Sequence, residues 1–334
     1  MKTFAELLSV VLLLSACSGG GYVIKGNVKH LDEGNINLLD QYGHTVCNAE
    51  VKDGRFEFRG RTEVPILAYV NNALGVSYPI DVPVMLENRR IRIIGDASLS
   101  MIKVTGTGPN DDMMEYKARR DALAPDDSEG YLALVREMSD RNADNILGAM
   151  LISNLYGLVD SEELLERCNR LPAELREDKS VSFYMDISRG RVETREGQPF
   201  KDLQMRDSDG TLRKLSDSVN SGKATILLFW VSWNRNNGEL VPGVGELSRL
   251  YSGRGLNLFS ISTDHNPDVW RKSVEKYGLE GINLQGNPAE ADSLAKLYGV
   301  DGMPRAILIG SDGKIMKRCS RIEELSSFID VFSK

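Results

Sequence analysis

The chain has 334 residues, 41% of them apolar and 27% charged, and a formal net charge of -7. That length accommodates two domains or three, and that balance of apolar and charged residues excludes a wholly disordered chain. The acidic excess argues against nucleic acid as a general partner.

The first residues read as a targeting signal. Lys2 supplies a minimal basic region and residues 7–14 an apolar core. Leu14-Ser15-Ala16-Cys17 then resembles a bacterial lipobox. The resemblance implies a signal peptide over 1–16, cleavage before Cys17, and lipid on the sulfur and amine of Cys17. Several acyl chains exceed the single chain at which membrane binding is marginal. Ser18-Gly19-Gly20-Gly21 completes a short tether over 17–21. No aspartate follows Cys17, so the expected location is the outer membrane, facing the periplasm. No later stretch is long and apolar enough to span a bilayer.

Residues 22–108 read as all-β. Tyr22 to Val28 and Asn35 to Leu38 alternate with period two, and Asp53-Gly54 is a strong hairpin signal between Val51-Lys52 and Arg55-Phe56. Asn88-Arg89 is expected to turn the last pair of strands. Many short strands with polar turns predict a small β-sandwich. From 109 to 188 the apolar period becomes helical. Asn110-Asp111-Asp112 is the expected cap of a helix carrying Met113, Tyr116 and Leu123. Further helices are expected from Gly130, over 146–155, and from Ser161 to Pro172, their methionines and leucines forming core rather than a cofactor site. The N-terminal part is thus α+β, a β-sandwich plus a helical segment. A charged linker with glycine is expected over 189–196.

Residues 197–334 read as an α/β domain. Ala224-Thr225-Ile226-Leu227-Leu228 is a buried strand. It leads into Phe229-Trp230-Val231-Ser232-Trp233-Asn234-Arg235-Asn236-Asn237, and Leu240, Val244, Leu247 and Tyr251 follow at helical spacing. Asn234 is the expected N-cap of that helix. Gly238, Gly243 and Gly245 weaken it, at roughly 1 kcal/mol per interior glycine. Asn266-Pro267 starts another helix, with proline at the first turn.

These residues resemble the TlpA/ResA-like family of envelope thioredoxin-like proteins. There the strand runs into Phe-Trp-Ala-Ser-Trp-Cys-x-x-Cys, with a proline five residues after the second cysteine, as Pro242 stands here. The resemblance covers a little under half the chain and implies a thioredoxin-like fold. It places Asn234 and Asn237 where the family has its two cysteines. Thiol–disulfide exchange needs an attacking thiolate and a resolving thiol, and an amide supplies neither. The resemblance further implies that Pro304 is the family's cis-proline and that Met303 offers its backbone to an extended chain. Arg235, beside a helix start, would add positive potential. The expected binding residues are therefore Trp233, Asn234, Arg235, Asn236, Asn237, Met303 and Pro304. The β-part resembles, in pattern only, the uncharacterised domain that precedes such domains in envelope lipoproteins.

Cys47, Cys168 and Cys319 form no Cys-x-x-Cys pair and are expected to be buried apolar residues. His30, His44 and His265 have no metal-ligand spacing, so no metal or cofactor is expected. Three readings stay open. The first is a lipid-anchored, redox-inactive protein that binds an extended peptide or an envelope protein. The second is a thiol–disulfide oxidoreductase using cysteines outside the motif. The third is a binding module in the β-part, with the C-terminal domain as scaffold.

Overall fold

The computed structural model describes residues 20–72 and 77–332. The expected signal peptide and Cys17 lie outside the described residues. The chain divides into two compact units within the helix that ends at Leu155, the first up to Leu151 and the second from Ile152.

The first unit contains β1 (Tyr22–Lys29), β2 (Gly34–Asp40), β3 (Thr45–Val51), β4 (Arg55–Gly60), β5 (Ile66–Asn72), β6 (Asp81–Leu86), β7 (Arg90–Asp96) and β8 (Met101–Thr105). They form two four-stranded sheets, in the orders β4-β1-β7-β8 and β3-β2-β5-β6. Inward residues of both, such as Ile24, Phe58 and Ile91 from one and Ile36, Leu38 and Val84 from the other, share one core. This is the expected sandwich.

The turn at Asp53-Gly54 is present, with φ of 50° and 70°, and Lys52 and Arg55 exchange both backbone hydrogen bonds. The strands on either side belong to different sheets, so the turn crosses the sandwich rather than closing a simple hairpin. The turn at Asn88-Arg89 does the same between β6 and β7. A local turn signal fixes the reversal but not which neighbour each strand then finds.

Helices α1 (Gly108–Asp121), α2 (Ser128–Arg141) and α3 (Ile146–Leu155) follow. Asn110 does not cap α1; Thr107 holds the N-cap position. Asn110 is buried, accepts from Met85 N and donates to Met85 O, both at 2.9 Å. It bonds the first turn of α1 to β6 as another strand would.

The second unit opens with α4 (Ser161–Arg170), α5 (Ala173–Arg176) and α6 (Lys179–Glu193). Asp160 caps α4 by accepting from Glu163 N at 2.8 Å. The expected linker at 189–196 is corrected here, because residues 189–193 are the last turn of α6. A Cβ on Gly190 would lie 2.2 Å from Lys296 O and 2.4 Å from Gly299 N, so the glycine marks close packing rather than flexibility. Thr194 donates to Gly190 O at 2.6 Å, and Arg318 donates to Thr194 O at 3.1 Å and to Tyr298 O at 2.5 Å.

Next come β9 (Gln204–Arg206), β10 (Leu212–Lys214), α7 (Leu215–Ser221), β11 (Ala224–Trp230), α8 (Leu240–Tyr251), β12 (Leu256–Ser262) and α9 (Pro267–Tyr277). The chain closes with β13 (Ile282–Gln285), α10 (Pro288–Leu297), β14 (Arg305–Gly310), β15 (Ile315–Cys319) and α11 (Ile322–Phe332). Five strands form one sheet in the order β13-β12-β11-β14-β15. β11 is central, parallel to β12 and antiparallel to β14. Every residue of β11 is buried. Ile226, Leu228 and Trp230 face α8, α9 and α11, while Leu227 and Phe229 face α7 and α10. A continuous apolar run of this kind is what a strand covered on both faces requires.

Candidate functional site at the end of the central strand

β11 carries the chain out of the core at Trp230. Residues 235–237 then make one turn of 3-10 helix, and α8 starts only at Leu240. Gly238, at φ 40°, makes the left-handed step between them. The expected capping role of Asn234 is therefore corrected. Glu239 holds the N-cap position of α8 and makes no side-chain cap. Arg235 is exposed and lies on the three-residue turn, not at the start of α8, so the expected dipole contribution at that residue is corrected as well.

Both asparagine amides bond to backbone carbonyls. Asn234 Nδ2 donates to Met303 O at 2.6 Å, and Asn237 Nδ2 donates to Val231 O at 2.6 Å. Asn237 is 3% exposed, and its Oδ1 is buried without a partner. An orphaned buried acceptor costs roughly 1–3 kcal/mol. The first position is half-buried and the second deeply buried.

The Met303–Pro304 peptide bond is cis. Met303 is half-buried against the α7–α10 side of the core, with Sδ 3.8 Å from Thr263 Oγ1. Its carbonyl, expected to face an incoming chain, is already occupied by Asn234. Its N–H makes no hydrogen bond among the described residues. Trp233 stands beside this junction, 72% exposed.

Beneath the junction lies a group that motif reading did not identify. Asp264 is 3% exposed. It accepts from Ser232 N at 2.9 Å, from Ser232 Oγ at 2.7 Å and from Ser262 Oγ at 2.6 Å. Gln285 donates to its backbone carbonyl at 2.7 Å. This cluster ties the loop after β11 to the end of β12. The available signal was Ser262-Thr263-Asp264, polar residues directly ending a buried strand.

Gly243 and Gly245 are not signs of a weakened α8. A Cβ on Gly243 would meet the Ile322 side chain at 2.4 Å, and one on Gly245 would lie 1.9 Å from Tyr277 O. They let α11 and the end of α9 approach.

Cys319 ends β15 and Cys168 lies in α4; both are fully buried. Burial pushes the Cys319 thiol up to about 12 and the Cys168 thiol up to about 11. Cys47 is half-buried in β3, with its sulfur 3.6 Å from the Tyr22 hydroxyl. No two of the three are bonded. Among the described residues no three His, Cys, Asp or Glu side chains gather as a metal site, and no helix is long and apolar enough to cross a membrane.

Residues 22–113 match a domain of unknown function (DUF4369), and residues 222–315 match a family described as thioredoxin-like. Thiol-disulfide oxidoreductase ResA of Bacillus anthracis is 25% identical over 139 residues, which is 41% of this chain and 73% of that protein. The ResA of Geobacillus thermodenitrificans is 27% identical over 124 residues, 36% of this chain and 67% of that protein. Among solved structures, the thioredoxin domain of a thiol-disulfide oxidoreductase from Bacteroides vulgatus aligns with a TM-score of 0.38 at 20% identity, covering 42% of this chain and 98% of that one. The protein therefore carries a C-terminal thioredoxin-like domain similar to that of the ResA thiol-disulfide oxidoreductases, behind an N-terminal domain of unknown function.

Proposed function

We propose that this is a lipid-anchored, redox-inactive thioredoxin-like protein of the cell envelope, which binds an extended peptide or a partner protein. The observation that carries the reading is the pair of amides at Asn234 and Asn237. They fill the two positions at which the resemblance places thiols, and each is bonded to a backbone carbonyl. Neither can attack a sulfur or resolve a mixed disulfide. The two other cysteines of the second unit are buried, with thiols held in the protonated form.

The binding part of the reading rests on Trp233 and Met303. A bound strand can accept from the free Met303 N–H and pack on the exposed indole. It reaches the Met303 carbonyl only by displacing Asn234. The anchor part rests on the Leu14-Ser15-Ala16-Cys17 lipobox.

The test is capture of envelope partners with the full mature chain, comparing wild type with Trp233→Ala. Partners held through this groove are lost from the variant. Equal recovery by both chains would move the binding site elsewhere. Labelled fatty acid should enter the wild type and not Cys17→Ala; equal labelling would remove the anchor.

A further inference from the structure

We infer that the outer face of the sheet β4-β1-β7-β8 is a docking surface for anionic phospholipid head groups. Tyr22, Ile24 and Val28 of β1 point into the sandwich, so Lys25, Asn27 and Lys29 point out. The register sets Lys25 beside Arg92 and Glu57, and Asn27 beside Arg55 and Ile94. A cleft of about 580 Å³ runs across this face, lined by Lys25, Arg55, Arg59, Arg90 and Arg92. Glu57 is the one carboxylate the register places among them, and it pairs with Lys25 and Arg59. Arg55, Arg90 and Arg92 have no carboxylate partner among the described residues. A concentration of cations on a chain whose net charge is -7 implies an anionic partner.

Two further observations select a bilayer surface over a soluble anion. First, the other end of the same face carries exposed large apolar residues beside lysines. Ile94 is 47% exposed, Leu99 64% and Met101 63%, and they line a second cleft with Lys29, Lys103 and Asp96, the last held by His30. Cations together with exposed apolar side chains suit the head-group region, where one layer takes the charges and the next the methylenes.

Second, the chain leaves β1 toward Cys17 at the arginine end. Val23 pairs with Arg59 and with Arg90, and a Cβ on Gly21 would lie 2.0 Å from Gly60 O. Four residues separate Cys17 from Tyr22, so the two lie at most about 18 Å apart along an extended chain. A lipid on Cys17 would hold this face within reach of the leaflet. This tethering depends on the proposed lipid anchor, whereas the charge and apolar pattern of the face does not.

The test uses the chain from Ser18 onward, made without lipid and retaining every described residue. It is mixed with vesicles of phosphatidylcholine alone or with added phosphatidylglycerol, and the bound fraction is read by sedimentation. Binding should require phosphatidylglycerol and fall with added salt. Arg90→Glu/Arg92→Glu should lower the partition by about tenfold or more. If that variant does not fold, Arg90→Gln/Arg92→Gln should still lower it several-fold. Leu99→Ser/Met101→Ser should weaken binding while leaving its salt dependence in place. Equal binding to both vesicle types, or wild-type binding by the folded arginine variants, overturns the proposal. So does binding to soluble polyglutamate with none to the anionic vesicles, which would make the partner an acidic protein. Because this chain has no lipid, the anchor fails separately, through absent labelling of Cys17 in cells.

Discussion

At the scale of single residues, the second unit turns on what Asn234 and Asn237 do with their amides. Asn234 bonds to the carbonyl before the cis-proline instead of capping a helix. Asn234→Ala should cost about 0.5–1.5 kcal/mol in chemical unfolding, the net value of one ordinary hydrogen bond, because water can reach the half-buried site. An unchanged midpoint would mean the contact contributes nothing. The two thiols of the second unit should be inert. With a thiol reagent at neutral pH, Cys168 and Cys319 should react only on unfolding, since burial keeps both protonated. Rapid labelling of either in the native chain would contradict their packing. The residue types in the loop after β11 were legible in sequence, and the cis bond at Pro304 was implied by the family resemblance. The partners of the two amides were not, because they depend on where a distant loop places Met303 O and on how the 3-10 turn folds Asn237 back to Val231 O.

At the scale of elements, α6 is the segment that sequence reading placed wrongly. Charge and glycine at 189–196 read as a linker, yet Gly190 is where α6 and the turn after α10 come closest. Gly190→Ala should destabilise the second unit by about 1–3 kcal/mol, the usual cost of overpacking. Wild-type stability would show that the helix moves aside freely. At the next residue of α6, Arg191 bonds to Asp301 at 2.6 Å and its guanidinium stacks on the ring of Tyr156, whose hydroxyl donates to Asp301. Burial opposes the charge on Asp301, but the Tyr156 hydroxyl and Arg191 outweigh it and hold its carboxyl below the usual range. A depressed carboxyl stabilises the fold above its unfolded pKa, and that contribution is lost as pH falls through the folded one. The stability gap between wild type and Asp301→Asn should therefore be full near neutral pH and close in acid. A gap that widens in acid would reverse the assignment. Strand periodicity and the Asn266-Pro267 helix start were legible because they are local; Asn266 does cap α9. The sheet to which β3, β4, β6 and β7 belong was not legible, since both sheets share the same alternation.

At the scale of the whole molecule, two unlike units carry separate tasks in this account. The first presents a basic and apolar sheet face, and the second has a thioredoxin-like frame with Asn234 and Asn237 in the loop after its central strand. The fold of the second was readable because its central strand and the Phe-Trp-x-Ser-Trp segment resemble the TlpA/ResA-like family. The buried Asp264 cluster was missed because serines and an aspartate at a strand end resemble any loop. The basic face was missed for a similar reason: its cations alternate with core residues along β1, β4 and β7 and gather only when those strands pair. The proposed function requires that the thioredoxin-like unit perform no thiol–disulfide exchange. Reduction of insulin by dithiothreitol in the presence of the mature chain measures it directly. The wild type and Cys319→Ser alike should leave the rate uncatalysed. A catalysed rate that disappears with Cys319→Ser would contradict it.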